Sequence, residues 1–224
     1  MIAVATALAI LAVAMTLFLN SAWVGFEQGR AEAAAWTGFA PADLRTATDS
    51  ILADLIIGPP DFDVVVAGRA VLSERERSHM RDVRGVFVGF FGVTLVAILV
   101  AAVLARRRPS GRARWAPVRT GAVGLIAGLV VVGVISFVAF DAVFEVFHRV
   151  FFAGGSYTFD PATERLVQLF PFTFWQETAI ALGAVSIVIA AVFAVVAGRR
   201  ASASVDRHRS IPSEVAARIP RTVE

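Results

Sequence analysis

The stretch VFVGFFGVTLVAILVAAVLA, residues 86–105, decides the fold: twenty residues pass without a charge, and one threonine is their only polar side chain. A helix needs about 20 mainly apolar residues to cross the hydrocarbon of a bilayer, where no water exists to satisfy an irregular backbone. Working outward, residues 2–24, 118–140 and 179–197 are comparably long and apolar. The whole chain agrees, with 57% hydrophobic residues, a mean hydropathy of +0.72 and 17% charged residues, against about 25% charged in soluble domains. The expectation is an all-α integral membrane protein with four transmembrane helices. A membrane domain would fill 1–198, its outer segments 25–85 and 141–178 would form a partly helical extracytoplasmic cap, and the polar tail 199–224 would lack fixed structure. The first span has no basic leader and exceeds the apolar core of a secretory signal, so it is expected to be retained.

Orientation follows from charge. All 21 basic residues are arginine, and twelve of them lie between residues 106 and 119 or beyond residue 198. Those two regions contain three acids, which makes them net +9, while the remainder is net −6. Cytoplasmic segments beside spans are the arginine-rich ones, so both termini are expected in the cytoplasm and residues 25–85 and 141–178 outside it. The basic loop is what insertion requires and needs no nucleic-acid partner to explain it. With no cysteine in the chain, disulfides, thiolate metal sites and a cysteine nucleophile are excluded. The arginine, alanine and valine usage fits a high-GC bacterial source.

In the first outer segment Leu44, Ala47, Ile51 and Leu55 recur at helical spacing and stop before Gly58-Pro59-Pro60, which predicts an amphipathic helix lying on the membrane surface. Ser73-Glu74-Arg75-Glu76 has the form of a capping box. The helix it starts should run without interruption into the second span, with His79 in its second turn and Glu76 and Asp82, three residues to either side, within reach of the imidazole.

Asp141, Glu145 and His148 follow the third span at intervals of four and three, so one helical face carries two carboxylates below an imidazole. A carboxylate there is expected to fix the ring's tautomer and raise its basicity. Beyond the Gly154-Gly155 pair, Asp160 should cap a short helix begun by Pro161 and ended by Pro171, and Thr173 with Gln176 forms a second capping box. Ten aromatic residues stand between 144 and 175. They suit a headgroup-level belt and equally a slot for acyl chains, for which Phe152, Tyr157, Phe170 and Trp175 are the candidate binding residues.

His79 and His148 thus share one side of the membrane, while His208 falls in the tail. Three functions fit that pattern: catalysis at an interfacial membrane site by the two imidazoles, a non-catalytic accessory protein that binds lipid or a protein partner through its aromatic cap, and a metal-dependent membrane hydrolase or metal carrier. No short metal-ligand spacing, nucleophile elbow or phosphate-cradling glycine loop is present, and no cofactor is called for.

The block from Ser73 to Val83, together with Phe147-His148, Phe151-Phe152, Phe159-Asp160-Pro161, Leu169-Phe170-Pro171 and Phe174-Trp175, resembles the two hallmark blocks of the lipoprotein intramolecular transacylase (Lit) family of bacterial membrane proteins. The resemblance implies an acyltransferase that moves the sn-2 acyl chain of a diacylglyceryl-cysteine lipoprotein onto its own α-amino group, giving the lyso-form. It implies His79 and His148 as the catalytic positions, supported by Asp82 and Asp160, with diacylated lipoproteins and membrane lipid as partners. Phe172 stands where many relatives carry an acid, and Gly155 and Tyr157 where an Asn and a Trp are expected, departures that bear on substrate choice.

Overall fold

The computed structural model describes residues 1–209 except Ser110 and Ala153. In chain order the elements are α1 (Ile2–Thr16), α2 (Ser21–Arg30), α3 (Ala33–Thr37), α4 (Pro41–Ile56), β1 (Val65–Val66), β2 (Arg69–Ala70), α5 (Glu74–Arg106), α6 (Arg112–Phe151), α7 (Arg165–Leu169) and α8 (Phe172–Arg209). Helices α5, α6 and α8 are long and apolar enough to cross a membrane. Helices α1 and α2, bent by 72° at a short break, add a fourth if the pair counts as one span.

That break is where the first predicted span, 2–24, departs from a continuous helix. Asn20 Oδ1 accepts hydrogen bonds from the amides of Ala22 and Trp23, both at 3.0 Å. This caps a new helix rather than extending the old one. The 15 residues of α1 reach about 22 Å. At the other end, α8 continues to Arg209, so the first part of the tail expected to lack structure is helical; residues 210–224 lie outside the described residues. Helix α8 already begins at Phe172, one residue ahead of the capping box read at Thr173 and Gln176.

The chain divides into two compact units. Among the described residues, one holds 1–11, 94–128 and 186–209. Within it Ile10, Ala122 and Ala190 form a small core, and α6 approaches α1 closely at Gly121, where a Cβ would collide with the carbonyl oxygen of Ala3.

The other unit, residues 12–93 and 129–185, holds the larger core and both candidate histidines. Helix α4 forms as its spacing predicts, but Ala47, Ile51, Leu52 and Leu55 are buried against protein, in one cluster with Phe62, Val64, Leu169 and Phe174, and not laid on a lipid surface. The chain after Pro60 folds back over that face: Phe62 is fully buried, and β1 and β2 pair antiparallel through Ala67 and Gly68, both in the left-handed region. Arg84 donates to the carbonyl oxygens of Asp54 and Gly58 and so closes the end of α4. Helix α6 is interrupted at Ala139 (φ −143°, ψ 51°), which separates the apolar stretch 118–140 from the segment bearing His148.

Candidate active site

Helix α5 starts as its capping box predicts. Glu76 Oε2 accepts from the amide of Ser73 at 2.6 Å, and Ser73 Oγ accepts from the amide of Glu76 at 3.3 Å. Glu76, however, does not serve His79. Its second oxygen accepts from the amide of Leu166 at 2.6 Å, and the side chain is 2% exposed. A carboxylate satisfied by two backbone amides is a clasp between the starts of α5 and α7. The correction has a simple cause: the buried Leu166 amide comes from 90 residues away and is invisible to helical spacing.

His79 lies one turn further along α5, ahead of the apolar stretch that begins at residue 86. It is 6% exposed, and its Nδ1 has no hydrogen-bond partner among the described residues. Phe152 and Phe159 stand edge-on to the ring, at centroid distances of 4.8 and 5.4 Å. Dehydration, followed by the charge of His148, pushes the imidazole down to about 4, and Asp82 only partly opposes this. His79 is therefore neutral near pH 7. Asp82 is exposed, so it acts on the ring through its charge across solvent and not through a hydrogen bond.

His148 arrives from α6. Its ring lies 6.2 Å from that of His79, and the two planes are 20° apart. His148 Nδ1 is 2.8 Å from the carbonyl oxygen of Phe144. A carbonyl only accepts, so Nδ1 bears a proton, and in the neutral ring it is Nε2 that presents the lone pair. Phe144, Phe152 and Tyr157 pack on the imidazole at 4.1, 5.4 and 5.1 Å.

The tautomer is set by a backbone carbonyl and not by a carboxylate, which corrects the expected role of Glu145. Its Oε1 accepts from Arg149 Nε at 2.8 Å and from Tyr157 Oη at 3.1 Å. The hydrogen bond from Arg149 comes first in holding this carboxyl below the usual range. Glu145 thus bears on His148 indirectly, by holding Tyr157 against its ring. Asp141 is exposed on the preceding turn and is not brought to the imidazole. Asp160 builds a turn: its Oδ1 accepts from the amide of Ala162, its carbonyl from that of Glu164, and its own amide donates to Glu164 Oε2. The helix expected at Pro161 starts instead at Arg165.

Beside the histidines is an apolar cavity of about 340 Å³, lined by Trp36, Phe144, Phe159, Pro161, Val167, Phe170, Pro171, Phe172 and Trp175. Phe170 and Trp175 are therefore wall residues, while Phe152 and Tyr157 cover the imidazoles. Phe144, which packs on His148, and Phe159, which packs on His79, belong to the same wall, so the cavity and the paired rings share those two side chains. Phe144 and Phe159 belong to the ten aromatics that suit a belt or an acyl slot but are not among the candidate binding residues, and Trp36, from the other outer segment, was missed. Phe144 stands one turn before His148, a spacing that would have found it. An imidazole whose Nδ1 is held by a backbone carbonyl, a second, neutral imidazole and an apolar slot suit proton transfer during attack on an apolar ester. Among the described residues, no group of three or more His, Asp or Glu side chains is placed to hold a metal ion.

A family model, lipoprotein intramolecular transacylase Lit, matches residues 1–175, the family that the motif blocks resemble. The fold is similar to that of the membrane integral lipoprotein intramolecular transacylase Lit from Bacillus cereus, with a TM-score of 0.76 at 16% identity over 91% of this chain and 94% of that one. Structures of two variants of the Bacillus cereus protein, with one histidine replaced by arginine or by alanine, give TM-scores of 0.71 at 16% identity over 91% of this chain and 90% and 91% of theirs. Among curated proteins none matches.

Proposed function

Because this chain belongs to the lipoprotein intramolecular transacylase (Lit) family, we propose that it moves the sn-2 acyl chain of a diacylglyceryl-cysteine lipoprotein from the glycerol oxygen to the cysteine α-amino group. The observation that supports this best is the pair of imidazoles 6.2 Å apart beside an aromatic-walled cavity that shares Phe144 and Phe159 with them.

In the proposed reaction the α-amine nitrogen attacks the ester carbonyl, a C–N bond forms, and the C–O bond to glycerol breaks. His148 Nε2 takes the proton released by the attacking nitrogen and returns it to the departing glycerol oxygen. Its Nδ1–H bond to the Phe144 carbonyl steadies the imidazolium formed in between. The neutral His79 donates its N–H to the oxyanion, and a water-poor setting strengthens that bond. Nucleophile and ester belong to one molecule, so binding it folded supplies much of the rate. Exchange of ester for amide runs downhill, and neither ATP nor a redox cofactor enters.

In this reading the cavity holds the migrating acyl chain, Phe170 and Trp175 contact it, and Phe152 and Tyr157 keep water from the rings. The protein sits in the bacterial cytoplasmic membrane as four spans, α1 and α2 together making one, with the termini in the cytoplasm and the site at the outer face. The arginine bias of the 106–119 loop and the tail supports that orientation. The test is mass spectrometry of a synthetic diacylated lipopeptide incubated with the purified protein. The expected product is an N-acylated lyso-lipopeptide of unchanged total mass, formed by the wild type and lost in His79→Ala and His148→Ala. No product from folded wild-type protein refutes the reading.

A further inference from the structure

Arg75 takes no part in the reaction above, yet it grips the loop that covers His79. One terminal nitrogen donates to Glu164 Oε1 at 3.1 Å, the other donates to the carbonyl oxygen of Thr158, and the guanidinium carbon lies 4.9 Å from the centre of the Phe159 ring. Three contacts from one side chain thus fall on residues 158–164, a segment without helix or strand. Phe159 in turn stands edge-on to His79 at 5.4 Å and forms part of the cavity wall. The planar fork of arginine can grip a carboxylate, a carbonyl and a ring face together, which the single ammonium of lysine cannot do.

We propose that Arg75 is a positioning residue: by pinning Phe159 against His79 it keeps water from that imidazole and keeps the cavity wall closed. The consequence for catalysis rests on the acyl-transfer reading, whereas the contact and its effect on His79 do not. Dehydration comes first in holding His79 neutral, so loosening Phe159 should move its titration. The other charged groups that face the ring are His148 from α6 and Asp82 from α5 itself. Glu164 lies behind Phe159 as the partner of Arg75.

The experiment is an NMR titration of histidine-labelled full-length protein in detergent, with signals assigned through His148→Asn and His208→Asn. In wild type, His79 should protonate near pH 4. In Arg75→Gln it should protonate at least about one unit higher, toward the ordinary imidazole value of about 6.5. Losing the cation could itself favour the imidazolium, so Arg75→Lys decides between charge and grip. Lysine keeps the charge and loses the fork, and it should raise the titration too, as should Phe159→Ala with Arg75 intact. A wild-type titration in Arg75→Lys and Phe159→Ala overturns the proposal, whether or not Arg75→Gln shifts. If Arg75→Gln does not fold, those two variants carry the decision alone. The titration is read without substrate, so absence of acyl transfer by the wild type would sink the function and leave this assignment standing.

Discussion

Replacing Glu76 separates two accounts of the residue beside His79. Its carboxylate accepts from the amides of Ser73 and Leu166, each at 2.6 Å, with 2% of the side chain exposed. Hydrogen bonds to a charged group contribute about 1.5–3 kcal/mol each, and a buried amide left without an acceptor suffers the full loss. Glu76→Ala should therefore destabilise by roughly 3–6 kcal/mol, a large share of the roughly 5–15 kcal/mol that holds a folded domain together. Glu76→Gln keeps one carbonyl oxygen but turns an NH2 toward the second amide, so about half of the loss should remain. Thermal denaturation in detergent should rank wild type above Gln above Ala. Transfer by Glu76→Gln, counted per folded molecule, should stay near that of wild type, because the carboxylate touches backbone and not imidazole. Unchanged melting in Glu76→Ala refutes the clasp. Loss of turnover in Glu76→Gln with unchanged melting restores the carboxylate to the imidazole, where helical spacing had placed it.

Burial lowers the titration of His79 to about 4, so between that pH and about 6.5 the unfolded chain binds a proton that the folded chain refuses. Stability should accordingly be level above about pH 6.5 and fall as the pH drops through that window; melting temperatures across it should slope less in His79→Gln, and equal slopes would show that His79 is not buried neutral. At Gly121 a Cβ would collide with the Ala3 carbonyl, so Gly121→Ala should cost about 1–3 kcal/mol of overpacking, read as a lower melting temperature; an unchanged value would mean that α1 and α6 do not approach so closely. Val167→Trp, which puts an indole into the cavity of about 340 Å³, should raise KM for long-chain lipopeptides more than it lowers kcat. The opposite split would place the acyl chain elsewhere.

What could be read from the chain was what is local. Twenty residues without a charge make a span wherever they occur, and Ser73 finds Glu76 because both lie on one helical turn. The same logic overreached at residues 2–24, since hydropathy averages over Asn20, whose single amide oxygen captures two backbone donors and redirects the helix. The hairpin at Val65–Ala70 escaped because two-residue strands carry no alternating pattern, and because its turn uses Ala67 at positive φ, where Asn, Asp or Gly would have signalled it. Spacing also lists the groups within reach of a side chain without saying which of them wins. Glu145 lies within reach of His148 and is taken by Arg149 and Tyr157.

That competition shapes the proposed chemistry. Had Glu145 bonded to His148 Nδ1, the ring would be more basic and its proton harder to pass on. A neutral carbonyl in that place orients the imidazole without setting a second charge against it. The carboxylate is spent on Tyr157, whose ring covers His148, much as the grip of Arg75 falls on the segment that covers His79 and the clasp of Glu76 on the start of α7 just after it. Glu145, Glu76 and Arg75 thus act on the aromatic walls or the backbone that carries them, while Asp82 acts on His79 through its charge. His79 is thereby left uncharged and poor in water, a condition under which a proton can pass from amine to alkoxide without being lost to solvent.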